Sequence, residues 1–125
     1  MKLYSGKVLN LNELIEEIFA NFTVDGVAVP VAFLRYDGKS TTYVVYQQTD
    51  KANSLSGDNE LIGYIDYYDF NIYSTGNYFP VVEKIKEKML ENGFTWQLSR
   101  DSGDMYENDT GYYHKTLCFA IEREV

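Results

Sequence analysis

The sequence predicts an α+β domain: an antiparallel-dominated sheet of four to five strands with two amphipathic helices packed on one face. Three observations carry that expectation. Two segments space their apolar residues at the helical period, several others alternate at the strand period, and glycines and Asp-Gly pairs punctuate the joins. At 125 residues the chain fits a single domain, residues 1–125. A domain of that size buries roughly two-thirds of the surface of its unfolded chain, enough for one core.

In the first helix Leu11, Leu14, Ile15, Ile18, Phe19 and Phe22 form one stripe, and Glu13, Glu16 and Glu17 take the other face. Asn10 or Asn12 is placed to cap it, and the early glutamates suit the positive end of its dipole. Two Asp-Gly turn signals follow, Asp25-Gly26 and Asp37-Gly38. The second separates β-prone runs near Val31–Tyr36 and Thr42–Gln48 as a tight hairpin would, and Pro30 fits the start of its strand, where no ladder bond is lost. "TDKANSLSGDNE", Thr49–Glu60, is polar and aperiodic and reads as a long mobile loop. In "LIGYIDYYDFNIYS" Ile62, Tyr64, Tyr68, Phe70 and Ile72 share one face, interrupted by Asp66, while Ile65, Tyr67, Asp69, Asn71 and Tyr73 share the other. Both faces are partly apolar, so one is expected to meet the helices and the second a neighbouring subunit.

The second helix is predicted from about Asn77 to Asn92, with a stripe of Tyr78, Val81, Val82, Ile85 and Met89 and Leu90 at its edge. Pro80 falls in its first turn and Gly93 just past its last. Phe94, Trp96 and Leu98 then alternate as a strand. Tyr113, Leu117, Phe119 and Ile121 form the last strand, with Lys115 breaking the pattern. "DSGDMYENDTG" between them reads as the connection of a long β-hairpin, in which Gly103 and Gly111 can take unusual backbone angles.

Eleven basic against nineteen acidic side chains give a net charge of −8, which repels phosphate backbones and anionic membranes. The single cysteine, Cys118, excludes an internal disulfide and fits a reducing compartment. "MKLYSGKVLN" has no apolar centre of signal-peptide length and "VAVPVAFL" is too short to span a bilayer, so a soluble cytoplasmic protein is expected. Twelve Tyr, seven Phe and one Trp suit half-buried strands or protein interfaces. Because they lie mainly in strand-like segments, most are read as ordinary sheet residues.

The motifs point away from catalysis. Asp101, Asp104, Glu107 and Asp109 could all offer oxygen to calcium, but counting from Asp101 puts Gly103 third, Met105 fifth and Tyr106 sixth, which breaks the alternating-ligand spacing. A solvated or partner-facing loop is the expectation. His114 is the only histidine, and Cys118, on the same strand face, is roughly 13 Å along the backbone, too far to share a metal or a proton. His114 is read as a hydrogen-bonding rim residue and Cys118 as a small buried hydrophobe. Asp66 and Asp69 point to opposite faces of their strand, so they make no glycosidase pair. With no phosphate-cradling loop, nucleophile elbow or zinc spacing, no catalytic, cofactor or metal residue is expected, and the protein is read as a non-enzyme.

The opening helix, the strand "YYDFNIYS", the helix ending in "LENGF" and the segment "DTGYYHKTLCFAIERE" together resemble the tail-terminator or tail-completion family of tailed bacteriophages and prophages, the head-tail joining proteins. The likeness is to the order of elements over nearly the whole chain. It is sharpest at Asn92-Gly93-Phe94 and at Asp109-Thr110-Gly111-Tyr112-Tyr113-His114. The resemblance implies a structural role without catalysis, cofactor, membrane or small-molecule substrate: α+β wedges that form a homo-oligomeric ring, commonly six-fold, at the head-proximal end of the tail tube. Its partners are then copies of itself, the tail tube protein and head-completion or neck proteins, first in the host cytoplasm and then in the virion tail. DNA passes through the lumen without sequence-specific binding, in keeping with the acidic charge. On this reading Asp58 and Glu60 in the 49–60 loop, and Asp101, Asp104, Glu107 and Asp109 in the hairpin tip, reach the lumen or a neighbouring ring, while Tyr67 and Tyr73 pack against the adjacent subunit. The alternative is a small acidic binding module, an immunity or antirestriction-like inhibitor whose carboxylates cover a basic site on a partner; an enzyme using Asp or Glu ranks third.

Overall fold

Phe70 lies at the centre of the core of this computed structural model, which describes residues 11–55 and 61–124. Its ring meets Phe19 at 5.5 Å, Tyr46 at 5.5 Å and Phe119 at 5.6 Å, so one side chain joins three strands to the turn that follows the first helix. The helices are α1 (Leu11–Ile18) and α2 (Phe79–Glu91). The strands are β1 (Thr23–Val24), β2 (Val27–Ala28), β3 (Val31–Phe33), β4 (Thr42–Leu55), β5 (Leu61–Ser74), β6 (Thr95–Trp96), β7 (Met105–Glu107) and β8 (Tyr112–Glu124). β1 and β2 form a separate ribbon, and the other six make one sheet in the order β3-β4-β5-β8-β6, with β7 also paired to β8. Asn10, Asp58, Glu60 and the Ile62 side chain lie outside the described residues.

The α+β expectation holds; among the described residues the sheet is mixed, with one parallel pair among antiparallel ones, and has six strands where an antiparallel-dominated sheet of four to five was expected. The parallel pair is β3 with β4. Asp37-Gly38 therefore does not close a hairpin between them. After Phe33 the chain swings out through a γ-turn at Leu34, whose φ is 67° and in which Arg35 N–H donates to Phe33 O at 2.8 Å. Because β3 is only three residues long, residues 34–41 suffice to return the chain to its starting level. Gly38 lets the Tyr36 ring lie close, since the tip of that ring occupies the space a Cβ would take. The tight hairpin forms instead at Asp25-Gly26, where φ of 52° and 80° at the two central residues match the mirror-image turn that joins twisted strands.

The helix-facing side of the sheet carries Val44 and Tyr46, then Tyr68, Phe70 and Ile72, then Leu117, Phe119 and Ile121. Both helices pack there, α1 through Leu11, Leu14 and Ile15 with Phe19 and Phe22 beyond its end, α2 through Val81, Val82, Ile85 and Met89. Asn12 sits inside α1 and does not cap it; its Oδ1 accepts the Tyr68 hydroxyl at 3.1 Å. α2 ends as its sequence indicates. Phe94 N–H donates to Met89 O and Gly93 N–H to Leu90 O, with φ of 89° at Gly93, and the buried Phe94 packs beside Met89.

Two loops were shorter than expected. Thr49 to Leu55 continues β4 because β5 supplies its hydrogen-bonding partner across two irregularities of register, near Gln48/Asp50 and Ser54/Leu55. The expected strand Phe94–Leu98 stops at Trp96, and Leu98–Arg100 forms a 3-10 turn that leaves Leu98 exposed. The segment after it contains its own strand, β7, so the chain folds back onto β8 much earlier than a simple long hairpin would.

Candidate interaction surface

Among the described residues, no helix covers the other sheet face, which carries its own rows of side chains. Strand register places Tyr43, Tyr73 and His114 in one row, Val45, Asn71 and Thr116 in the next, then Gln47, Asp69 and Cys118, then Asp50, Tyr67 and Ala120. Across the first row four rings stack: Tyr36 on Tyr43 at 4.5 Å, Tyr43 on Tyr73 at 5.0 Å and Tyr73 on His114 at 4.2 Å, with interplanar angles of 25°, 19° and 19°. Tyr112 adds an edge-on contact to Tyr43, and its hydroxyl donates to Ser40 O at 3.3 Å. The Tyr36 hydroxyl accepts Ser40 N–H at 2.9 Å, so the ladder is anchored at its loop end, and its half-buried rings make a surface suited to protein contact.

His114 is held on three sides. Its Nε2 is 3.4 Å from Asn71 Oδ1, its Nδ1 is 3.5 Å from Glu107 Oε2, and Asn71 Oδ1 also accepts the Thr116 hydroxyl at 2.8 Å. Burial pushes the imidazole pKa below its ordinary 6.5, and Glu107 opposes only part of that shift. The ring is therefore neutral at neutral pH. Burial likewise raises the phenols of Tyr43 and Tyr73.

Tyr67 lies on the same face under the Arg100 guanidinium, which is 3.8 Å from its ring centroid and pairs with Asp50 at 3.1 Å. Tyr67 and Tyr73 thus share a face and belong to separate clusters. Beneath Arg100, Cys118 is 1 % exposed, and burial, with Asp69 nearby, pushes its thiol up to about 12.

The acidic residues of the hairpin tip are not equivalent. Both Asp101 oxygens are used within the chain: Oδ2 accepts Trp96 Nε1–H at 2.8 Å and Oδ1 accepts Cys118 N–H at 2.9 Å, replacing the backbone carbonyl that a continuous strand would supply. Ser102 repeats the device for Thr116 N–H at 2.8 Å. Asp104 accepts the Tyr78 hydroxyl and lies 3.8 Å from Lys115 Nζ. Glu107 accepts the Thr110 hydroxyl at 3.0 Å besides facing His114. Asp109 is exposed in the β7–β8 turn.

A feature that sequence reasoning missed lies at the same hairpin on the helix-facing side. Tyr106 and Tyr113 are cross-strand partners with ring centroids 5.0 Å apart, and Tyr78 links them to Phe79 at the start of α2. Tyr113 continues the core alternation of β8 past the point where α2 covers it, so it emerges 42 % exposed beside Tyr106 at 53 % and Phe79 at 58 %. Only an anticipated β7 would have brought Tyr106 to this place.

Among the described residues no group of three or more His, Cys, Asp or Glu could hold a metal ion, and no helix is long and apolar enough to cross a membrane. Fold and surface together define a small α+β domain with one sheet face clothed by helices and the other by stacked rings. No family model matches the chain, and no curated protein matches it.

Proposed function

We propose that the protein is a structural component of a phage or prophage tail, one that completes or terminates the tail tube as a homo-oligomeric ring and forms the surface on which the head docks. The observation that carries this reading is the ladder Tyr36–Tyr43–Tyr73–His114, half-buried rings that cross the sheet on the face without helices. Such a face gains by further burial against another protein, because its rings already hold their conformations and lose little entropy on contact. Tyr67 and Tyr73 on that face pack against an adjacent subunit of the tail assembly. The net charge of −8 suits a lumen through which DNA must slide without adhering. The inhibitor reading draws less support, since Asp101, Asp104 and Glu107 already hold partners within the chain.

Two measurements test the proposal. Tails assembled without this protein should overgrow or fail to accept heads; tails of normal length that join heads would refute it. In the purified protein, Tyr67→Asp should disrupt ring formation while leaving the far-ultraviolet circular dichroism unchanged, because Arg100 lies against the substituted position and can pair with the new carboxylate. Rings of wild-type yield from that variant would remove Tyr67 from the interface.

A further inference from the structure

A ring built from identical chains needs two different patches that fit each other, since a head-to-tail contact uses unlike surfaces on the two copies. Resting on the ring reading above, we propose that the aromatic knob Phe79–Tyr106–Tyr113 of one copy docks on the β3 edge of the next copy, at Phe33, Leu34 and Arg35.

The two patches occupy opposite lateral edges of one sheet, β7 beyond β8 on one side and β3 beyond β4 on the other. Phe33 is 44 % and Leu34 57 % exposed, and Phe33 rests against the buried Tyr46 at 5.6 Å, so like the knob it extends the core outward on the helix-facing side. Through the strand register, Tyr106 lies level with Thr42, and Phe33 pairs with Tyr46, four residues along β4 or roughly 13 Å. The patches therefore sit near the same end of the sheet, where a lateral neighbour can reach both.

Charge complements shape. The knob's two strands are joined by a turn that carries the exposed Asp109, while the β3 edge leads into Arg35 and Lys39, two cations in a chain that has eleven against nineteen acids. The Arg35 side chain is 79 % exposed and, among the described residues, pairs with Asp37 of its own loop, so its guanidinium can take a second carboxylate. Leu34 adds a separate sign. Its φ of 67° lies in a region disfavoured for a large residue, and the turn holds its apolar side chain out in water. Contact with an aromatic knob would bury that side chain.

Unlike patches make a test by complementation. Leu34→Asp and Tyr106→Asp each spoil one patch and leave the other, so each variant alone should associate at least about tenfold more weakly than the wild type by light scattering. Mixed in equal amounts they should recover association that neither shows alone, because the knob left intact in one meets the β3 edge left intact in the other. Far-ultraviolet circular dichroism of each variant checks the fold. Rings that persist in the Leu34→Asp/Tyr106→Asp double variant would overturn the assignment of the patches and leave the ring reading standing. Head-to-tail association that obeys complementation but leaves tail length and head joining unaffected by the single variants would support the patches and overturn the tail reading. A wild-type chain that associates neither alone nor on purified tail tubes would overturn both.

Discussion

Asp66 stands on the helix-facing side of β5, beside Ile121 and 1 % exposed, where an isolated carboxylate would be expelled. Gln48 Nε2 donates to it at 3.0 Å, Lys51 Nζ lies 3.4 Å away and Arg123 Nη1 3.3 Å away, so its charge is compensated twice and hydrogen-bonded. Removing it would strand two cations, and full burial of both would make the loss severe. Their side chains are 54 % and 31 % exposed, however, so water can take over part of the lost pairing. Asp66→Ala is therefore expected to destabilise the fold by about 1–3 kcal/mol, below the range for a fully buried pair. Urea unfolding checks this, and a midpoint equal to that of the wild type would show that the carboxylate contributes nothing. The same residue breaks the apolar alternation of its strand in the sequence, and its cluster explains why the break is tolerated.

At the scale of elements, the parts legible in the sequence were those whose signal is local. The stripe of α2, its proline in the first turn and its glycine stop all follow from residues within one helix, and the structure places Val81, Val82, Ile85 and Met89 in the core as their spacing indicates. Gly93→Ala should destabilise the fold by about 1 kcal/mol, because a Cβ is disfavoured at φ 89° and both capping bonds depend on that conformation. Thermal unfolding measures it, and an unchanged midpoint would mean that the helix ends equally well by another route. Elements whose signal is not local were misread. Thr49–Leu55 is polar because it pairs as an extension of the β4–β5 hairpin, and polarity alone suggested a loop. β3 and β4 lie on either side of Asp-Gly, the usual mark of a hairpin, yet the γ-turn at Leu34 sends the chain round to a parallel register. Tyr73 was singled out for its face, while Tyr36, Tyr43, Tyr112 and His114 joined it only through register across three strands and a loop, which spacing within any one segment does not reveal.

Across the whole molecule the ladder is a cross-member of stacked rings. It starts at Tyr36 in the loop after β3, crosses β4 and β5, and ends at His114, which is level with Met105 of β7, so it connects the two lateral edges. Its one titratable member near neutral pH is His114, whose folded-state pKa lies below the ordinary 6.5 because burial disfavours the imidazolium. Between those two values the unfolded chain binds more protons than the folded one, so stability rises with pH there. The contribution is complete above about pH 6.5 and is lost as pH falls through the depressed folded value. Asp69, raised by burial, works in the opposite sense, favouring the folded state as it takes up a proton, so the two must be separated. Replacing His114 with Asn does so, since Asp69 remains. The wild type should lose urea resistance between pH 7.5 and 5.5, and His114→Asn should lose measurably less over the same interval although it starts lower for want of the Tyr73 stack. Parallel pH profiles for the two proteins would show that His114 titrates as it does in an unfolded chain, and the imidazole would then be a solvated rim group with no hold on the ladder.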